Sequence, residues 1–320
     1  MVELLRPSVS RPNDLRSWTK SRVENLQKYL DPATLAKIEG LDLKARLIVE
    51  GYISGLHKSP YHGFSVEFAE HREYAPGDDI KHVDWKVWSR TDKLYLKQYE
   101  EETNLITYLL LDTSESMRYK SHGVSKLEYA RYIAAALAYL VLQQQDSVGL
   151  ATFDNEVRHF LRPSSHPSHL KLMLHLMDST PAADKTNVAT IFHDLAERFK
   201  KRGIVIVLSD LFDDVPNLLS GLKHFRPRRH EVVLFQILDP AEVDFPFEDT
   251  TLFKGMEGLP EVLSEPRALR RAYTQEFENF LTEVRRGCRG NHIDHVLLRT
   301  DQRLDVALSA YLAARMAKRK

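Results

Sequence analysis

The stretch Asn104–Met117, NLITYLLLDTSESM, constrains the fold more than any other part of the chain. Apolar residues run from Leu105 to Leu111, interrupted only by Thr107 and Tyr108. A β-rich run of about seven residues is too short for most helices and reads as a strand buried on both faces. It stops at Asp112, and Thr113, Ser114, Glu115 and Ser116 follow. One carboxylate and two hydroxyls at alternate positions make a group of hard oxygen donors. They sit at the carboxyl end of a strand, where open α/β sheets place their ligands. Three such oxygens do not enclose a divalent cation, so other segments must complete any site built here.

Two later segments can do so. Gly203–Asp210, GIVIVLSD, repeats the pattern: a β-branched apolar run that ends in Ser209 and Asp210. Ahead of it, ADKTNVATIFHDLAERF sets Thr186 and Asn187 at the start of an amphipathic helix, a position where a hydroxyl often caps. Asp112, Ser114, Ser116, Thr186 and Asp210 then converge from three loops at one sheet edge. Mg²⁺ takes octahedral oxygen coordination, prefers few carboxylates and keeps waters, and this donor set suits that demand. It suits no metal that favours thiolate or imidazole.

Asp112-x-Ser114-x-Ser116, a distant Thr186 and the strand-terminal Asp210 resemble the metal-ion-dependent adhesion site of von Willebrand factor A domains. DSVGLATFD, Asp146–Asp154, resembles the second strand of that fold, and the likeness covers roughly residues 103–320. The resemblance implies a doubly wound, mostly parallel α/β sheet. It also implies Mg²⁺ or another divalent cation at those five residues, and a protein partner that offers a Glu or Asp to the ion. The chain departs from the pattern at Lys185, where relatives usually carry glycine before the threonine, and a cation there weakens metal binding.

Composition narrows the setting. The chain has 320 residues, with 45 basic and 45 acidic side chains, so no bulk charge points to nucleic acid or a membrane surface. A single cysteine, Cys288, excludes an internal disulfide and suits a reducing compartment. The first thirty residues lack the apolar core of a signal peptide. The longest apolar run, Ile133–Leu142, falls well short of the roughly 20 residues of a membrane span. A cytoplasmic protein is expected.

Three regions follow along the chain. Residues 1–30 form a polar arm, 31–102 a helix plus a small β-rich domain, and 103–320 the α/β domain. In the second region Asp31 caps a helix running to Gly55, with Pro32 in its first turn and Leu35, Ile38, Leu41, Ala45 and Ile48 at helical spacing. Alternation at Val66, Phe68, Leu94 and Leu96 around Ala75-Pro76-Gly77-Asp78-Asp79 predicts the β-rich unit. Ser59, Gly63, Glu67, Phe68, Arg72, Tyr74, the Pro76–Asp79 turn, Asp84-Trp85 and Arg90 resemble the signature of the bacterial domain-of-unknown-function family 58. Its members are commonly encoded beside MoxR-type AAA+ ATPases, which implies such an ATPase as partner. Arg72, Asp78, Asp79, Asp84 and Arg90 read either as an ion-pair network between domains or as solvated turn and edge residues.

The third region alternates strands and helices, which implies a mostly parallel sheet covered on both faces. Ser125-x-x-Glu128 is a capping box for a helix from Glu128 to Gln143. Strands are expected over Val148–Phe153, Val157–Leu161, Val232–Leu238 and Ile293–Leu298, with a hairpin-like segment over Thr251–Leu263. The Asp112 and Asp210 strands should be neighbours at the reversal of strand order. No GxGxxG follows a strand, no GxxxxGK[ST] occurs, and the fourteen histidines form no HExxH. The reading is therefore a non-enzymatic binding protein. A metal-free scaffold is the first alternative. The second is an Asp-nucleophile phosphohydrolase of the haloacid dehalogenase type, which needs a second Asp as general acid where this chain has Ser114.

Overall fold

The short α1 (Pro32–Ala36) starts where Asp31 accepts a hydrogen bond from Thr34 N at 2.9 Å and Pro32 enters the first turn. It stops at Lys37, and α2 (Leu41–Leu56) begins beyond Gly40. Gly40 sits at φ +83°, a left-handed conformation that glycine adopts without a Cβ penalty. The single helix expected over Asp31–Gly55 is thus two helices joined at that glycine. The computed structural model describes residues 31–56, 71–73, 95–97, 105–179, 188–254 and 261–318. Residues 57–104 form a compact unit by themselves, in which β1 (His71–Glu73) pairs antiparallel with β2 (Tyr95–Lys97). The polar arm, the Pro76–Asp79 turn and the charged residues around it, Arg72 aside, lie outside the described residues.

The α/β unit is built on six strands: β3 (Ile106–Asp112), β4 (Ser147–Phe153), β5 (Val157–Ser164), β6 (Ile204–Ser209), β7 (Glu231–Leu238) and, after the hairpin β8 (Thr251–Phe253) and β9 (Val262–Ser264), β10 (Asp294–Arg299). Their order is β10-β7-β6-β3-β4-β5. Every pairing is parallel except the edge strand β5, which runs antiparallel to β4. Counted along the chain this is the doubly wound order, and the direction of winding reverses between β3 and β6.

Among the described residues, seven more helices cover the sheet: α3 (Lys126–Gln143), α4 (Ser168–Ser179), α5 (Val188–Arg198), α6 (Val215–Lys223), α7 (Pro240–Asp244), α8 (Pro266–Gly290) and α9 (Asp305–Lys318). Side chains alternate across β3, as a strand requires. Leu109 and Leu111 join a core with α2, α3, α4 and α9, while Tyr108 and Leu110 join one with α5, α6 and α8. β3 and β6 are buried at every position. The sequence grouping of 31–56 with the β-rich block gives way here. Leu35, Ala45 and Ile48 are fully buried in the same core as α3, so α1 and α2 belong to the α/β unit. Among the described residues, no helix is long and apolar enough to cross a membrane.

Candidate functional site

The β3–β6 junction brings Asp112 and Asp210 to adjacent strand ends, because the parallel register pairs Leu111 with Leu208. Asp112 closes β3, and the chain then turns into a 3-10 segment, Glu115–Arg118. Thr113 pins this turn to β4: its amide donates to Phe153 O at 2.7 Å and its hydroxyl donates to the same oxygen at 2.9 Å. The Ser114 amide donates to Asp112 Oδ1 at 2.8 Å, and the Ser114 and Ser116 hydroxyl oxygens lie 3.1 Å apart. The Ser209 hydroxyl donates to Asp112 Oδ2 at 2.5 Å, so the two strand ends are joined directly.

Asp210 is held from three sides. Its Oδ1 accepts from Phe212 N at 3.2 Å, and its main-chain carbonyl accepts from Gln236 Nε2 on β7 at 3.3 Å. Its Oδ2 accepts from Lys126 Nζ at 2.8 Å. Leu211, at φ +63°, turns the chain away from the strand so that the Phe212 amide can face back. Thr186, together with Lys185 and Asn187, lies outside the described residues, which resume at Val188 in α5. The structure therefore brings Asp112, Ser114, Ser116 and Asp210 to one edge.

Lys126 escaped the sequence reading. It is fully buried at the first position of α3 and donates to Asp210 and to Glu242 Oε1, the latter at 2.6 Å. A signal was present in the sequence. A lysine in the first turn stands at the positive end of the helix dipole, where cations are disfavoured without a local partner. Glu242 comes from the short α7, whose cap, Asp239, accepts from Ala241 N and from the Ser121 amide and hydroxyl. These contacts lock the loop after β3 to the end of β7.

The electrostatics follow from burial. Burial, and after it the Asp210 carboxylate, push the Asp112 carboxyl well above the usual carboxylate range, against hydrogen bonds from Ser209 and Ser114 that favour its charged form. Burial opposes the Lys126 ammonium, but Asp210 and Glu242 more than offset it and its pKa ends raised. Glu242 is also raised, by burial that Lys126 only partly offsets. Both shifts are upward, which favours the charged form of Lys126 and disfavours that of Glu242. Sharing explains it, since one ammonium serves two carboxylates and leaves Glu242 undercompensated.

Asp112, Ser114, Ser116 and Asp210 are the described residues of the expected set that could hold a cation. Among the described residues, Lys126 pairs with Asp210 and Glu242 while Asp112 has no ion pair, so three formal negative charges stand against one ammonium, a difference of two. The Ser114 and Ser116 hydroxyls hydrogen-bond each other at 3.1 Å, which keeps the two oxygens adjacent.

A family model described as "Protein of unknown function DUF58" matches residues 70–280. Uncharacterized protein Rv1480 of Mycobacterium tuberculosis is 26% identical over 289 residues, which cover 89% of this chain and 90% of that protein. Among solved structures, the conserved hypothetical protein BatB from Bacteroides thetaiotaomicron is 15% identical with a TM-score of 0.45, covering 67% of this chain and 99% of that one. The SpRpn10 VWA domain is 14% identical with a TM-score of 0.36, covering 64% and 93%. The family match spans most of the α/β unit and both strand ends that carry Asp112 and Asp210, and the chain belongs to the DUF58 family.

Proposed function

We propose that this chain is a non-enzymatic adaptor that binds Mg²⁺ or another divalent cation at Asp112, Ser114, Ser116, Thr186 and Asp210 and presents it to a Glu or Asp of a partner protein. The reading takes the cytosol as its setting and a MoxR-type AAA+ ATPase as the partner, in the assembly or remodelling of complexes. The charge deficit among the buried carboxylates at the strand reversal carries the proposal. When bound, the ion supplies an electrophilic position for an incoming carboxylate. The residues of the chain do the rest. Ser114 and Ser116 hold the ion through their hydroxyls, Thr186 adds a third, and Asp112 and Asp210 balance charge mainly through waters. The partner assignment rests on family membership.

The test is calorimetric titration of the full chain with Mg²⁺, paired with a pull-down from native lysate with and without chelator. Mg²⁺ should bind the wild type. Ser114→Ala should weaken it by about tenfold or more, the scale seen even for lost outer-shell partners. Asp112→Ala should abolish chelator-sensitive capture. A captured complex indifferent to chelator and to both substitutions overturns the metal-bridged reading.

A second reading has its own observation. Lys126 already neutralises Asp210 and Ser209 already satisfies Asp112, as a metal-free scaffold would arrange them. Under that reading Mg²⁺ changes neither melting temperature nor partner capture.

A further inference from the structure

Lys126 needs a reason to be where it is. Its side chain is 0% exposed, it stands in the first turn of α3, and both conditions oppose an ammonium. Asp210 at 2.8 Å and Glu242 at 2.6 Å answer its charge, and the Phe212 ring lies 4.6 Å from Nζ. The partners reach it from the loop after β6 and from α7, so the side chain is a hub rather than a stray. On the neighbouring strand β3, no ion pair reaches Asp112 among the described residues; its oxygens accept from the Ser114 amide and the Ser209 hydroxyl. The two carboxylates at the reversal are therefore unequal. One is tied to a fixed positive charge, and the other is met by neutral donors.

We propose that Lys126 is a tethered cation that sets the ion selectivity of the site by keeping Asp210 out of the inner coordination sphere. This rests on the cation reading above and adds a specificity-determining residue to it. With Asp210 held by Lys126, the ion meets two hydroxyls and at most one carboxylate of the described residues, plus water. Mg²⁺ tolerates that set because it keeps its waters and takes few carboxylates. Ca²⁺ takes six to eight oxygens and gains affinity from each added carboxylate, so the same set serves it poorly. Releasing Asp210 would turn the edge into a two-carboxylate site and favour Ca²⁺.

The experiment is parallel Mg²⁺ and Ca²⁺ titration of the full chain as wild type, Lys126→Met, Lys126→Met with Glu242→Gln, and Lys126→Met with Asp210→Asn. The second variant removes the carboxylate stranded by loss of the ammonium and guards against misfolding, which near-UV circular dichroism reports. Lys126→Met should tighten Ca²⁺ by about tenfold relative to Mg²⁺, as expected for one more carboxylate ligand. Adding Asp210→Asn should return the ratio to that of the wild type. Wild type that binds Mg²⁺, with a ratio unmoved by Lys126→Met, overturns the tethered-cation role and leaves the metal site standing. Wild type that binds neither ion, with Ca²⁺ binding gained on Lys126→Met, supports the role of Lys126 and removes the Mg²⁺ site. Binding of neither ion to any variant overturns both.

Discussion

Gln236 carries one side chain of information across three strands. It is fully buried on β7, its Nε2 donates to Asp210 O just beyond β6, and its Oε1 accepts from His295 Nε2 on β10 at 2.9 Å. That contact requires the proton on His295 Nε2, and burial, with Arg285 second, pushes the imidazole down to about 4 from its ordinary 6.5. Between those two values the unfolded chain binds a proton that the folded chain refuses. Stability should therefore rise with pH across this window, and be lost as pH falls from about 6.5 toward 4. The contribution is on the order of 1–3 kcal/mol. Urea midpoints across the window should show a shallower pH slope for His295→Gln than for wild type, and equal slopes would count against the assignment.

At the scale of elements, the capping box does more than start a helix. Ser125 Oγ accepts from the Glu128 amide at 3.1 Å, and Glu128 Oε2 accepts from the Ser125 amide at 2.8 Å. That fixes the first turn of α3, and with it the position from which Lys126 reaches Asp210. Ser125→Ala should lower stability by about 1 kcal/mol, measured by chemical denaturation, while Ser125→Asp should stay close to wild type. A neutral Ser125→Ala would mean that packing alone places the helix. The capping box was legible because it is local, and so were the strands, whose apolar runs fall within a residue or a few of their observed ends. The break at Gly40 was not, because a helical periodicity continues across it and the glycine conformation carries no mark in the spacing of Leu35, Leu41 and Ala45. The contact between Lys126 and Glu242 was also out of reach, since 116 residues separate them.

For the whole molecule, the placement of α2 decides what unfolds with what. Ile48 is 0% exposed in a core shared with α3, although the chain leaves α2 for a separate unit before β3 begins. Ile48→Ala should destabilise the α/β unit by about 2–5 kcal/mol. A thermal transition followed through that unit should shift down accordingly, and an unmoved transition would detach α2 from its core.

The doubly wound sheet, the two strands that lead to Asp112 and Asp210, and their meeting at the reversal of winding were all legible in the chain's local pattern. Each rests on local periodicity and on topological rules that hold whatever the side chains beyond the pattern. Only the tertiary structure decided how charge is shared at that edge. Lys126 takes Asp210, Ser209 takes Asp112, and Glu242 arrives from α7, because strand pairing and helix packing bring together groups that lie between 84 and 116 residues apart. Burial then makes each of those pairings count, since a charge withdrawn from water must find its partner within the fold.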